Sequence, residues 1–330
     1  MFSISMRSIT WAFVKKPYKR NTLPNKTSNY GSSSSIQSTD AGDIPLTTAM
    51  WNAWDLSANF RGIGWDWSQG IHIPKSSHET RSTIMFFLIT LAKLLLHALA
   101  FDVTSGAARN FSPETFGSVE GGTIFDASLP PLSRYTQSAI ITFLSGWTSY
   151  FATELTYHIY ALQFVLLFRQ GPSQWPPLFD APWLSTSLTN LWGHHWHQLF
   201  RECFISIAVR PLSYLLGRSG GVLGAFLLSG ALHYVGLDAM GRGGHPIAVI
   251  GFFFMQGIGI ILEGVWKRCT GVRVSGWLGF LWTWLWVVFW GTFMVDAWGK
   301  TGLIGSNCFP DDSRPTVWLA EFLKRHLHPL

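Results

Sequence analysis

Three histidines fall within four positions in NLWGHHWHQLFRECF at 190–204: His194, His195 and His197, among Trp192, Trp196 and Arg201. A fourth, His233, sits inside SGALHYVGL at 229–237, an otherwise apolar run. A lone His on an apolar helix is usually a satisfied core residue, but an ionisable group at membrane depth is costly and marks function by default. Two chemistries need such histidines. A membrane di-iron oxidase would use several His-rich boxes as ligands, because neutral imidazole suits iron. Only one such cluster exists here, and His72 and His78 stand too far apart for a tight helical pair. The other chemistry is acyl transfer. An alcohol is a poor nucleophile until its proton leaves, and a His with a pKa near working pH can take that proton. A second polar group from another segment can hold the reactants or stabilise charge on the thioester oxygen. His233, facing a polar cluster on the preceding segment, has these ingredients.

The composition says what solvent surrounds these residues. Of 330 residues, 48% are hydrophobic and 13% charged, with 18 Trp and 25 Phe. A soluble domain carries about 25% charged residues, so much of this surface faces lipid, and the aromatic rings suit interface belts. The net charge is +6. Nine Lys and Arg lie between Arg7 and Arg81, before the first long apolar run. Beside apolar segments this is a topology signal holding the N-terminus in the cytosol. No recognisable module accompanies it that would make nucleic acid a partner. Cys203, Cys269 and Cys308 are scattered and odd in number, so neither a disulfide framework nor a zinc site is expected. Residues 1–14 lack the pattern of a cleaved signal peptide.

The elements that must position the histidines follow from hydropathy. Residues 15–50 are basic and then Ser-rich, a composition for a flexible loop, and Trp- and Gly-dense 51–81 is expected to lie amphipathically at the membrane surface. About 20 apolar residues cross a bilayer, which makes 82–101 the first span, with Lys93 and His97 on one face. Residues 136–168 are too long for one upright span and too short for two, so one long tilted or broken helix is expected. Glu154 and His158 share a face of it, as a mutual buried pair or as the lining of a polar tunnel. Apolar stretches follow at 221–237, 246–266 and 276–298. Residues 203–217, holding Arg210 and Pro211, are expected to span, re-enter or lie in the interface. Counting Lys and Arg gives 16 on the cytosolic side whether or not 203–217 spans, and places 169–202 in the cytosol either way. Glu263 and Lys267 are spaced as a structural i,i+4 pair, and Asp296 could serve structure or function, with structure favoured. The Trp282, Trp284, Trp286 and Trp290 series is assigned to packing and interface anchoring. Gly221, Gly224, Gly257 and Gly259 permit close helix contact.

SLTNLWGHHWHQLFR at 187–201 resembles the wax synthase pattern S-L-x-x-F-W-G-x-x-W-H-x-x-x-R, and SGALHYVGL resembles the S-G-x-x-H segment of membrane-bound O-acyltransferases. NFRGIGWDW at 59–67 and WGTFMVDAWGKTGL at 290–303 resemble flanking motifs of a fungal wax-synthase-like subgroup, so the similarity covers about residues 50–305. Members of that subgroup often acetylate hydroxyls of terpenoid secondary metabolites. The resemblance implies that His233 is the catalytic base and that His197 occupies the polar position preceding it, an Asn in many relatives. Trp192, His194, His195, Trp196 and Arg201 become candidates for binding substrate or CoA. His194 and His195 stand where wax synthases carry arginines, and Tyr234 replaces an acidic residue common after the catalytic His. Relatives carry one or more spans before a segment resembling ITWAFVKKPYKR at 9–20, and this chain begins near that point, as a shortened gene model or a shorter protein would.

These readings converge on an all-α polytopic integral membrane protein with about five to seven transmembrane helices. Residues 1–81 form a cytosolic and interfacial N-terminal segment, 82–305 a membrane-embedded acyltransferase core, and 306–330 a short C-terminal tail. The expected reaction moves an acetyl or other acyl group from acyl-CoA to a hydroxyl of an apolar, terpenoid-like acceptor, with membrane lipid as surroundings and the endoplasmic reticulum as location. No metal and no bound prosthetic group is implied. The competing readings are a wax synthase acting on a long-chain fatty alcohol, the di-iron oxidase, and a membrane carrier or channel. A carrier or channel would spread polar residues through several spans or repeated halves.

Overall fold

The computed structural model describes residues 2–12, 14, 16, 18–20, 45–68, 70–74 and 82–327. Most of the Ser-rich loop expected at 15–50, and His78, lie outside these residues. Among the described residues, eight helices carry the architecture: α1 Phe2–Ala12, α2 Leu46–Ala58, α3 Thr83–Arg109 and α4 Pro131–Leu167, then α5 Arg201–Ala239, α6 Pro246–Thr270, α7 Gly276–Lys300 and α8 Pro315–Leu327. There is no strand among the described residues, only an isolated bridge between Arg20 and Trp65. Local chemistry sets the helix ends. Ser82 accepts the Met85 N–H with its hydroxyl at the start of α3, Pro131 opens α4, where a missing N–H costs nothing, and Gly271 ends α6 at φ 75°.

Four helices among the described residues, α3, α5, α6 and α7, are long and apolar enough to cross a membrane. Their outward faces carry large apolar side chains, including Leu95, Leu96, Tyr214, Ile247 and Leu278, which lipid solvates and water would not. α4 is a fifth long helix, unbroken over 37 residues, or roughly 55 Å at the α-helical rise. Its polar residues face inward: Ser138, Thr142, Ser145, Glu154 and His158 are all buried. α3 and α4 run antiparallel, with the Thr148 hydroxyl donating to Thr104 Oγ1 at 3.0 Å. α4 also packs on α7, and α6 packs on both α5 and α7.

The segment 203–217 folds back on the residues that follow it. α5 breaks at Gly217, whose φ of 68° and ψ of −169° are accessible only to glycine. The arm before the break folds back on the arm after it, so that a Cβ on Gly221 would meet Ser213 and the Val209 carbonyl. Gly224 would likewise meet Leu212 and the Ala208 carbonyl. Close helix contact is therefore what Gly221 and Gly224 permit.

The ends of the bundle are pinned by buried carboxylates. Asp296 of α7 accepts from the Thr123 hydroxyl at 2.6 Å and the Ile124 N–H at 3.0 Å, and pairs with Lys300 at 2.7 Å, contacts that tie the 123–124 loop to α7. Asp102 of α3 accepts from Arg314 at 2.9 Å and from the Thr316 N–H at 3.0 Å, tying the C-terminal α8 to α3.

Candidate active site

Residues 187–200 form the piece of chain on which the site is built. Ser187 caps the single α-helical turn Leu188–Asn190 by accepting the Asn190 N–H at 3.0 Å. The next five residues, Leu191–His195, are π-helical, closed by the Trp196 N–H donating to the Leu191 carbonyl at 2.8 Å. Such π turns recur at functional sites because the extra residue re-aims the side chains that follow. Trp196 is extended (φ −83°, ψ 153°), so the chain leaves the helix there and turns His197 inward. Gln198, buried, donates to the Trp192 carbonyl at 3.1 Å and holds the turn shut.

Glu263 of α6 anchors this turn, a role its sequence context did not announce. Its carboxylate accepts from the Leu188 N–H at 2.6 Å, the Thr189 N–H at 3.0 Å, the Thr189 hydroxyl at 2.7 Å and the Trp282 indole at 3.1 Å. The i,i+4 pair expected with Lys267 is replaced by this arrangement, because a buried carboxylate among N-terminal N–H groups gains more than one beside an exposed lysine. Two turns earlier on the same face of α6, fully buried Gln256 accepts the Trp192 indole N–H at 3.3 Å. The signal available for both was a polar pair seven residues apart in an apolar span.

A cavity of about 400 Å³ opens between α4, the π turn, α5, α6 and α7. Trp192, Trp196, His197 and His233 all line it. The cavity walls are mostly aromatic, with Trp147, Tyr150, Phe252 and Trp298 among them. His233 Nδ1 lies 2.8 Å from the Ser229 carbonyl oxygen, one turn back. A carbonyl only accepts, so Nδ1 carries the proton and the neutral ring keeps its lone pair on Nε2. Phe253 stacks on the imidazole at 4.3 Å between centroids and fixes its plane. His197 packs against Phe179 and Trp196, and its Nδ1 is buried without a hydrogen-bond partner among the described residues. Burial, with His233 nearby, pushes the His197 pKa down to about 3, so this imidazole is neutral at physiological pH.

The remaining candidates take a different position. His194, His195 and Arg201 do not line the cavity. They belong to an outer polar cluster in which His195 Nδ1 donates to the Asp180 carbonyl, and His72 Nε2 lies 2.8 Å from the Asp180 carboxylate. The His72 and His194 rings meet edge-on at 5.3 Å. Partial burial and the neighbouring His72, His195 and Arg201 lower the His194 pKa. A second cavity, about 620 Å³, shares Ala152 and Thr153 of α4 with the first. Arg61, from the 59–67 motif, stands in its wall and holds it by donating to the Pro176 and Pro177 carbonyls at 2.9 and 2.8 Å and to the Tyr157 hydroxyl at 2.6 Å.

Residues 175–255, which contain the π turn and His233, match the model of the membrane bound O-acyl transferase family. The chain is 30% identical over 269 residues to acetyltransferase ataH of Aspergillus terreus, an alignment covering 73% of this chain and 86% of that protein. The chain belongs to the membrane bound O-acyl transferase family. Within it, the chain is 29% identical over 259 residues to acetyltransferase ple2 of Rhodocybe pseudopiperita, covering 74% of this chain and 65% of that protein. It is 27% identical over 281 residues to O-mevalon transferase yanI of Aspergillus niger, covering 76% and 62%. The aligned part of this family member thus falls just short of two thirds of the length of ple2 and yanI. No solved structure matches it.

Proposed function

We propose that the chain is a membrane-bound O-acetyltransferase of the endoplasmic reticulum that moves an acetyl group from acetyl-CoA to a hydroxyl of an apolar, terpenoid-like acceptor. The observation that carries this reading is the convergence of His233 and His197, from separate segments, on one aromatic cavity of about 400 Å³. That volume lies in the range of small-molecule sites and favours a short acyl group beside a compact alcohol over two long chains. The names of ple2 and ataH point the same way.

In the proposed reaction, His233 Nε2 takes the acceptor's hydroxyl proton while Nδ1–H stays on the Ser229 carbonyl. The alkoxide oxygen attacks the thioester carbonyl, the C–S bond breaks, and the departing thiolate recovers the proton from the His233 imidazolium. His197, neutral and held across the cavity, orients the alcohol or donates to the carbonyl oxygen as charge develops there. Trp192, braced by Gln256, and Trp196 supply apolar wall. His194, His195 and Arg201 sit where cationic and hydrogen-bonding groups can meet the phosphates of CoA, with the second cavity as the donor's way in.

Microsomes containing the expressed chain, given labelled acetyl-CoA and a panel of terpenoid and long-chain alcohols, test this. Labelled acetate ester on a compact terpenoid alcohol supports it. Transfer of only long acyl groups to fatty alcohols would instead make the chain a wax synthase.

A further inference from the structure

Midway along α3 and α4, three ligand-bearing side chains meet that the acyl-transfer reading does not use. His97 comes from α3, and Glu154 and His158 lie one turn apart on α4. One ligand atom from each lies within 4.8 Å of the other two. The antiparallel pairing marked by Thr104 and Thr148 brings them together, and the His97 and His158 rings stand 5.1 Å apart.

Glu154 and His158 form only a loose ion pair. His158 Nδ1 donates to the Glu154 backbone carbonyl at 2.5 Å, and the Glu154 carboxylate is 3.4 Å away from that nitrogen. Charge-assisted hydrogen bonds are shorter, about 2.7–2.9 Å. His97 Nδ1 is buried and has no partner among the described residues. Lys93, one turn before His97, is near enough to act on both His97 and Glu154, as Arg61 is on Glu154, and its exposed side chain can swing outward when a cation enters.

We infer that His97, Glu154 and His158 form a binding site for a divalent transition metal of the zinc class, clamping α3 to α4. Two imidazoles and one carboxylate are a donor set zinc takes, with a fourth position left for water. Zinc bonds of about 2.0–2.1 Å require the three groups to close in from this spacing. Two ligands one helical turn apart with a third from the neighbouring helix make the register of the α3–α4 hairpin part of the site. Tyr150 meets His97 edge-on at 6.2 Å and also lines the cavity that holds His233. The ion would therefore brace that wall, and its removal would act on stability rather than on proton transfer.

The test uses the full chain in detergent, purified without a histidine tag, stripped with a chelator and titrated with Co²⁺ as an optical probe and then with Zn²⁺. Wild type should bind one Co²⁺ per chain with the visible bands of a low-coordinate site, Zn²⁺ should abolish them, and Zn²⁺ should raise the melting temperature. His97→Ala and Glu154→Gln should each lose the bands and the thermal shift. His97→Cys should keep a bound ion and add a thiolate-to-cobalt absorption, which separates lost ligation from lost folding. The inference is overturned if wild type shows no bands, or if they survive both His97→Ala and Glu154→Gln. Bands that vanish in His72→Ala with His194→Ala, but persist in His97→Ala, would place the ion in the outer cluster and equally overturn it.

Discussion

Glu263 of α6 takes both the N–H and the hydroxyl of Thr189, at 3.0 and 2.7 Å, and so fixes the start of the turn that delivers Trp192 and His197 to the cavity. The carboxylate is buried and also accepts from Leu188 and Trp282. Replacing it with Ala leaves several donors unpartnered, each costing about 1–3 kcal/mol. Glu263→Ala should therefore lower the melting temperature in detergent and cut kcat by at least tenfold. Glu263→Gln, which retains one acceptor oxygen, should fall between. Wild-type kcat in a folded Glu263→Ala protein would show that the turn holds its place without this anchor.

His233→Ala should lower kcat by about 10²–10⁴-fold, the usual contribution of a positioned general base. Insertion and expression should stay near wild type, because Ala suits the helix. His194→Ala should raise the KM for acetyl-CoA more than it lowers kcat, since that residue lies outside the cavity. Both are measured on normalised, correctly inserted protein under chemistry-limited conditions. A His233→Ala enzyme retaining more than about a tenth of wild-type kcat would remove His233 as the base.

Gly217 is the point where α5 turns back on itself, at φ 68° and ψ −169°. A side chain there costs about 1–3 kcal/mol in backbone strain. Gly217→Ala should reduce the yield of monodisperse protein and lower its melting temperature. Gly264→Ala, in α6 with open space around the glycine, serves as the control and should change neither. Equal behaviour of the two variants would argue against the tight fold-back at Gly217.

His197 predicts a dependence of stability on pH. Its folded-state pKa is pushed from 6.5 down to about 3. Below 6.5 the unfolded chain binds a proton that the folded chain refuses, so stability rises with pH toward 6.5 and is lost as pH falls from there toward 3. The upper limit of the slope is roughly 1.4 kcal/mol per pH unit. His197→Asn, which removes the titrating group, should flatten melting temperature against pH between 7 and 5 while keeping the cavity polar. An unchanged profile in that variant would assign the acid sensitivity to other groups.

Membrane class, the spans at α3, α6 and α7, and the two histidine segments were legible in the sequence, because the lipid solvent imposes long apolar runs and makes each intramembrane imidazole conspicuous. The single long helix at 136–168 followed from the length of its apolar stretch. What the chain's one-dimensional pattern could not decide was which polar groups meet. Glu263 and Lys267 have the spacing of a helix pair, yet Glu263 serves a segment 75 residues away by sequence, because an open helix N-terminus there offers several donors at once. Glu154 and His158 were legible as neighbours on one helix face, but only antiparallel packing set His97 of the adjacent helix at their level. The segment 203–217 stayed ambiguous because hydropathy measures burial in lipid, not chain direction, and only the left-handed backbone at Gly217 turns it back. Apolar periodicity is written locally and survives in the sequence. The convergence of His197 and His233 on one cavity depends on helix register and on a π turn, which tertiary packing alone determines.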